Sequence, residues 1–213
     1  MIDAKQLEIR QKGRAATVLR DNAIYFIVVG IFIIFAIFLW NKGFLSFTNI
    51  MNIFRQTAPI SILAIGFTYL LASGEFDLSI GSTVALGALV GALVLQMAGV
   101  VLAVLAALAL GAFIGIINGA FVVKTKMPSF LATIATQIIL YGFARWITHL
   151  QAVPVTNKLF YTIFGGGNVG PISTLFIWTI VCIAIGHTVI TKTSFVEKYL
   201  QQVVIKLLQF FQE

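Results

Sequence analysis

Apolar residues run along this chain in blocks long enough to cross a bilayer, separated by short polar turns. A spanning helix needs about 20 apolar residues, each rising about 1.5 Å, to traverse a hydrocarbon core of about 30 Å. Segments 22–40, 57–73, 79–97, 100–123, 129–147 and 172–190 meet that description. Residues 60–95 form one nearly unbroken apolar stretch, which as a single helix is about 54 Å long and exceeds one span even when tilted. The pattern therefore breaks at "SGEFDLSIG", the only place in that stretch where turn residues and charges coincide. These elements predict an all-α integral membrane protein with about six transmembrane helices.

Two segments outside the spans carry their own patterns. In the tail "VEKYLQQVVIKLLQFFQE", Val196, Leu200, Val203, Leu207, Phe210 and Phe211 share one helical face, while Lys198, Gln202, Lys206, Gln209 and Glu213 largely occupy the other. This predicts an amphipathic helix at the inner interface, with a groove on a partner as the alternative resting place. The segment 151–171 mixes aromatics with Gly and Pro and reads as a flexible external loop. Its "GGGNVG" is no phosphate loop, because no strand precedes it and no Lys follows. The chain thus divides into a cytoplasmic segment 1–21, a transmembrane domain 22–195 and the tail 196–213.

Composition and charge agree with this reading. Of 213 residues, 60% are hydrophobic and 10% charged, against about 25% charged in a typical soluble domain. With the N-terminus inside, the inner segments hold Lys5, Arg10, Lys12, Arg14, Arg20, Lys124, Lys126, Lys192, Lys198 and Lys206. The outer ones hold Lys42, Arg55, Arg145 and Lys158. The imbalance puts both termini in the cytoplasm. It also explains the net charge of +7 as topological, with no nucleic acid implied. The first span is retained as a membrane helix: its apolar run exceeds an ordinary signal core and no small-x-small cleavage site follows Trp40. The single Cys182 excludes a disulfide framework, and His149 and His187 lack ligand spacing, so no metal and no cofactor is expected.

The polar residues inside the apolar blocks are the candidates for function. An acidic side chain at the bilayer centre costs about 2.5–3.5 kcal/mol on insertion scales, so Glu75 and Asp77 lie near an interface or are compensated. Asp77 suits a helix start near Leu78, its carboxylate accepting first-turn amides, and Ser79 suits the same role. Glu75 has no such local role and faces a polar cavity, a cation or water at the inner surface. Asn118 lies in the fourth span, where an interhelical hydrogen bond is its ordinary use. Thr133, Thr136 and Gln137 sit in the fifth span, where they line a polar path, bond a neighbour or, for the threonines, bond back to their own helix. Gln137 is the strongest cavity-facing candidate among them. Gly87 and Gly91, and Gly111, Gly115 and Gly119, recur every fourth residue and form faces for close helix packing, within the chain or against a second subunit. Pro128 fits a first helical turn. Trp146 and Trp178 fall near predicted interfaces as aromatic anchors. No Walker A sequence, nucleophile with a nearby base or HExxH occurs, so the chain does not read as an enzyme.

Three stretches together resemble the permease subunits of bacterial ABC importers for sugars, of the ribose, galactoside, xylose and autoinducer-2 type. They are "FLSFTNIMNIFRQTAPISILAIGFTYLLASGEFDLSIGS" (44–82), "GAFIGIINGAFVVKTKMPSFLATIAT" (111–136) and "TKTSF" (191–195). Gly74, Asp77, Leu78, Ser79, Gly81 and Ser82 match a family stretch of the form Gly-x-Asp-Leu-Ser-x-Gly-Ser, with Glu75-Phe76 where the family often has Gly-Ile. The family usually continues after "TKTSF" with a Gly-Arg segment and a cytoplasmic stretch that couples to the ATPase, whereas this chain runs into its amphipathic tail.

The resemblance implies a multi-pass permease subunit in the bacterial inner membrane, forming part of the path for a sugar or related small polar solute. It implies a cytoplasmic ABC ATPase that hydrolyses ATP, a second permease chain (identical or different) and a periplasmic substrate-binding protein. The departure after "TKTSF" raises the alternative of a truncated, non-transporting remnant or a membrane interaction protein. A stand-alone secondary transporter predicts inverted repeats and a charged relay, neither of which the sequence shows clearly.

Overall fold

The computed structural model describes residue 20 and residues 22–192. The amphipathic pattern of 196–213 and, but for residue 20, the segment 1–21 expected to be cytoplasmic lie outside the described residues. The chain separates into two compact units, residues 1–53 and residues 54–213.

In the first unit, α1 (Ala23–Phe38) is a 16-residue apolar helix with no buried residue. At about 24 Å it is shorter than the span predicted over 22–40. A 3-10 turn at Trp40–Lys42 and a left-handed Gly43 end it. Phe44 then lies against Phe32 and Phe35, with ring centroids 5.4 and 6.0 Å apart.

Helix α2 (Phe47–Ala72) begins ten residues before the predicted span at 57. The polar residues Asn49, Asn52, Arg55 and Gln56 depress local hydropathy and hide this start. Ser46 supplies it, its Oγ accepting from the Asn49 amide at 3.3 Å. Pro59 sits inside the helix and leaves the Arg55 carbonyl without its usual donor, which apolar spanning helices tolerate. The far end closes on Gly74 at φ 69°. The Glu75 amide donates to the Leu70 carbonyl and the Gly74 amide to that of Leu71, both near 3 Å. This is a glycine-terminated C-cap.

Helix α3 (Ile80–Thr125) is continuous in name only, because Gly99 breaks it at φ 84°, ψ 179°. Straight, residues 91 and 107 would stand about 24 Å apart. Instead a methyl on Gly91 would lie 3.5 Å from both the Ala103 carbonyl and the Ala107 methyl. The arms 80–98 and 100–125 therefore form a hairpin, and they hold the two spans predicted over 79–97 and 100–123. Helix α4 (Ser129–Thr148) follows, with Pro128 at its N-cap. Leu86, Ile114 and Leu140, from the two arms and α4, make the small core.

The segment predicted as a flexible loop carries regular structure. Asn157 caps α5 (Lys158–Phe164), and strands β1 (Asn168–Val169) and β2 (Ile172–Ser173) pair antiparallel. Trp178, on α6 (Thr174–Lys192), donates to the Ile163 carbonyl at 2.9 Å and stacks on Phe164. Atoms of Tyr161 and Thr162 occupy the space that side chains on Gly165, Gly166 and Gly167 would need, so the glycine run serves this packing.

Helices α2, α3, α4 and α6 are long and apolar enough to cross a membrane. Large apolar side chains cover their outer surfaces, including Ile116 at 70% exposure and Val123 at 78%. An apolar exterior this extensive is what a lipid-facing protein presents.

Candidate functional site

The "SGEFDLS" turn leads from α2 into α3 and meets the start of α4. Its backbone amides at Phe76 and Leu78 have no ladder to join, and α4 satisfies both. The Phe76 amide donates to Ser129 Oγ, and the Leu78 amide to Thr133 Oγ1, each at 3.1 Å. Thr133 also bonds back to the Ser129 carbonyl at 2.9 Å. The turn therefore lies at the same end of the helices as the Lys124–Pro128 turn.

Asp77 is half-buried and directs its carboxylate to one residue. Its Oδ1 accepts from the Ser79 amide at 2.7 Å and from the Ser79 hydroxyl at 2.6 Å. The helix begins at Ile80 with Ser79 at the N-cap position, and the Ser79 side chain makes no capping bond to it. Asp77 thus fixes Ser79, and the bond runs two residues along the chain instead of into α3. Ser79 is fully buried, so its hydroxyl needs both a donor and an acceptor. It donates to Asp77 and accepts from Asn118 Nδ2 at 2.9 Å. Asn118 Oδ1 in turn accepts from Thr136 Oγ1 at 2.6 Å. The chain Asp77–Ser79–Asn118–Thr136 links the turn, both arms of α3 and α4.

One buried side-chain oxygen is left over among the described residues. Thr83 Oγ1 has no hydrogen-bond partner there. The usual acceptor for a helical threonine is the carbonyl four residues back. That carbonyl, on Ser79, already accepts from Ser82 Oγ at 2.7 Å and from the Thr83 amide at 2.8 Å.

Beside this network lies a cavity of about 270 Å³. Its surface is largely apolar: Leu70 lines it from α2, Glu75, Phe76 and Asp77 from the turn, Gly115, Asn118, Gly119, Val122 and Val123 from the second arm of α3, and Ser129 and Thr133 from α4. Glu75 is exposed, and its carboxylate makes no hydrogen bond among the described residues. A methyl on Gly111, Gly115 or Gly119 would meet nothing within 4 Å, whereas Gly87 and Gly91 lie against Ala107 and Ala103. Gln137 stands apart, half-buried on α4 without a hydrogen bond among the described residues. No cluster of three or more metal-ligating side chains occurs among the described residues.

Sequence reasoning does not single out Ser129, which resembles an ordinary helix-start residue after Pro128. Two further contacts escape it at other points of the same unit. Arg55 donates through Nη2 to Asn168 Oδ1 at 2.6 Å and through Nε to buried Ser173 at 3.4 Å. The Tyr69 hydroxyl donates to the Gly186 carbonyl. Each joins residues more than 100 positions apart, and no local pattern marks such partners.

A family model described as "Branched-chain amino acid transport system / permease component" matches residues 49–195. The chain belongs to this permease family. The match covers the turn, the Asp77–Thr136 network and the cavity lining. Among curated relatives of this permease chain, the galactose/methyl galactoside import permease protein MglC of Haemophilus influenzae is 30% identical over 78% of this chain and 49% of the relative. The xylose transport system permease protein XylH of Escherichia coli is 34% identical over 72% of this chain and 40% of the relative. The ribose import permease protein RbsC of Escherichia coli is 38% identical over 48% of this chain and 32% of the relative. The permease chain therefore spans half or less of the length of these relatives. No solved structure matches it. With its family and its long apolar helices, the protein is a multi-pass protein of the bacterial inner membrane.

Proposed function

We propose that this chain is a permease subunit of an ATP-binding-cassette importer and forms part of the path for a sugar or related small polar solute. The observation that carries the reading is a cavity of largely apolar surface whose lining also includes two carboxylates, Asn118 and two hydroxyl-bearing residues, among helices whose outer surfaces are apolar. Its volume is close to the lower end for small-molecule sites, about 300 Å³. Import permeases for galactosides, xylose and ribose are the relatives that point to a sugar.

On this reading the two arms of α3 count as separate spans, giving six with both termini cytoplasmic. The Glu75–Asp77 turn, Lys124 and Lys126 then lie on the cytoplasmic side, and the Arg55–Asn168 contact on the periplasmic side. Glu75, Asp77, Ser79 and Asn118 border the inner end of the path, and Gln137 lies deeper along it. The apolar face of Gly111, Gly115 and Gly119 receives a neighbouring helix. The chain carries no phosphate-binding loop, so a separate cytoplasmic ATPase hydrolyses ATP. A second permease chain completes the path, and a periplasmic binding protein delivers the solute. Closure of the ATPases would switch the permeases between outward and inward access.

The test is co-purification in mild detergent of the tagged chain with a co-expressed candidate ATPase and binding protein. Recovery of the ATPase, with hydrolysis stimulated by sugar-loaded binding protein, is expected. Recovery of a folded membrane chain alone, with no ATPase and no stimulated hydrolysis, would overturn the reading.

A further inference from the structure

Helix α4 carries a row of polar residues at every fourth position: Ser129, Thr133, Gln137, Tyr141 and Arg145. Residues at this spacing are surface neighbours and form a ridge inclined to the helix axis. The row divides by what its members already bond. Ser129 and Thr133 hold the turn amides, so their capacity is used. The Gln137 amide and the Tyr141 hydroxyl make no hydrogen bond among the described residues. Tyr141 is 41% exposed. Its hydroxyl lies against Gly81, 3.7 Å from where a methyl would stand.

Depth makes these two residues unusual. Their Cα atoms stand about 12 and 18 Å along α4 from Ser129, and helical side chains lean back toward the N-terminus, so both polar groups lie inside a core of about 30 Å on the Ser129 side of its middle. A polar group there that meets only lipid pays its full desolvation cost. The flank they occupy therefore faces water or polar partners.

Charge then narrows the solute. Between Ser129 and Arg145, α4 holds no Asp, Glu, Lys or Arg, and α3 holds none between Ile80 and Lys124. The only carboxylates in residues 22–192 are Glu75 and Asp77, in the turn at the helix ends. A zwitterionic amino acid or a sugar phosphate would meet no compensating charge on either helix at this depth. An uncharged polyhydroxylated solute needs none, because an amide that both donates and accepts, beside a phenol, matches its hydroxyls.

We infer that Gln137 and Tyr141 form a solute-contact pair within the bilayer core, selecting a neutral polyol over a charged solute. This rests on the import reading above. It separates a contact made by free polar groups from the Asp77–Thr136 network, whose groups are spent on holding helices together.

The experiment uses the full chain co-expressed with its ATPase and binding protein. Uptake of radiolabelled ribose, galactose and xylose is measured for the wild type, Gln137→Leu and Tyr141→Phe. Each substitution is expected to lower uptake of the transported sugar about three- to tenfold, the effect of one lost neutral hydrogen bond, with membrane level and thermal midpoint unchanged. In parallel, Cys182→Ala removes the single cysteine, and Gln137→Cys is treated with a water-soluble thiol reagent. The introduced thiol is expected to react, and the transported sugar to slow the reaction. Ile138→Cys, at a position 67% exposed on the neighbouring face, is expected to stay unlabelled in lipid.

Wild-type import with unchanged uptake in both variants would overturn the inference alone. So would an unreactive Gln137→Cys thiol, which would mean that another helix covers this flank. If the wild type imports none of the sugars, the import reading fails, while thiol labelling still decides whether the flank is wet. Labelling without protection by any of the sugars would then overturn the solute contact as well.

Discussion

Asn118 Nδ2 lies 2.9 Å from Ser79 Oγ across 39 residues of chain. The bond joins the last turns of one α3 arm to the start of the other, and Thr136 extends it to α4. Asn118→Ala and Ser79→Ala should each destabilise the protein by about 1–3 kcal/mol, because each leaves a buried partner unsatisfied. The double variant should lose less than the sum. A coupling of about 0.6 kcal/mol or more is expected from intramembrane hydrogen bonds. Equilibrium unfolding of the four proteins in mixed micelles measures it, and strict additivity would mean that the contact contributes nothing.

Asp77 acts through Ser79, so the acceptor oxygen matters more than the charge. Asp77→Asn keeps that oxygen and should leave the thermal midpoint in detergent nearly unchanged. Asp77→Ala should cost about 1 kcal/mol, the scale of a lost helix-start contact. A collapse of Asp77→Asn to the level of Asp77→Ala would show that the negative charge itself is required.

Gly99 turns the α3 hairpin at φ 84° with nothing crowding it. Gly99→Ala places a side chain in a positive-φ, extended-ψ conformation that essentially only glycine adopts and should cost about 1–3 kcal/mol. The expected readout is a lower melting temperature with full membrane insertion. An unchanged or raised melting temperature would rule out this backbone geometry.

Gly186 allows α6 to approach α2. A methyl there would collide with Ile65 Cγ2, close to the carbonyl that accepts from Tyr69. Gly186→Ala should destabilise by about 1–3 kcal/mol through overpacking. Ile65→Ala removes the clashing methyl and should restore part of the loss when combined with it. Thermal melts of both single variants and the pair test this. An additive double variant would contradict the contact.

Hydropathy and turn chemistry are local properties, and they determined the local features of this protein. Runs of about 20 apolar residues located the helices. The coincidence of Gly, Ser and carboxylates at 73–79 located the break after α2. The family resemblance was also legible, since short motifs in a fixed order survive without any knowledge of contacts. Only the tertiary structure decided the partners of the polar groups. Asp77 read as a residue of the α3 start, and its carboxylate does take the Ser79 amide there, but that it also holds the Ser79 hydroxyl, and through it Asn118, came only from the fold. The early start of α2 was hidden by polar residues, one of which, Arg55, finds Asn168 and Ser173 more than 100 positions away. The segment 151–171 gave no helical or alternating signal, yet it folds on Trp178 and three glycines that leave room for its own side chains. A hydrogen bond between distant residues depends on how helices stack, and no periodicity along the chain encodes that.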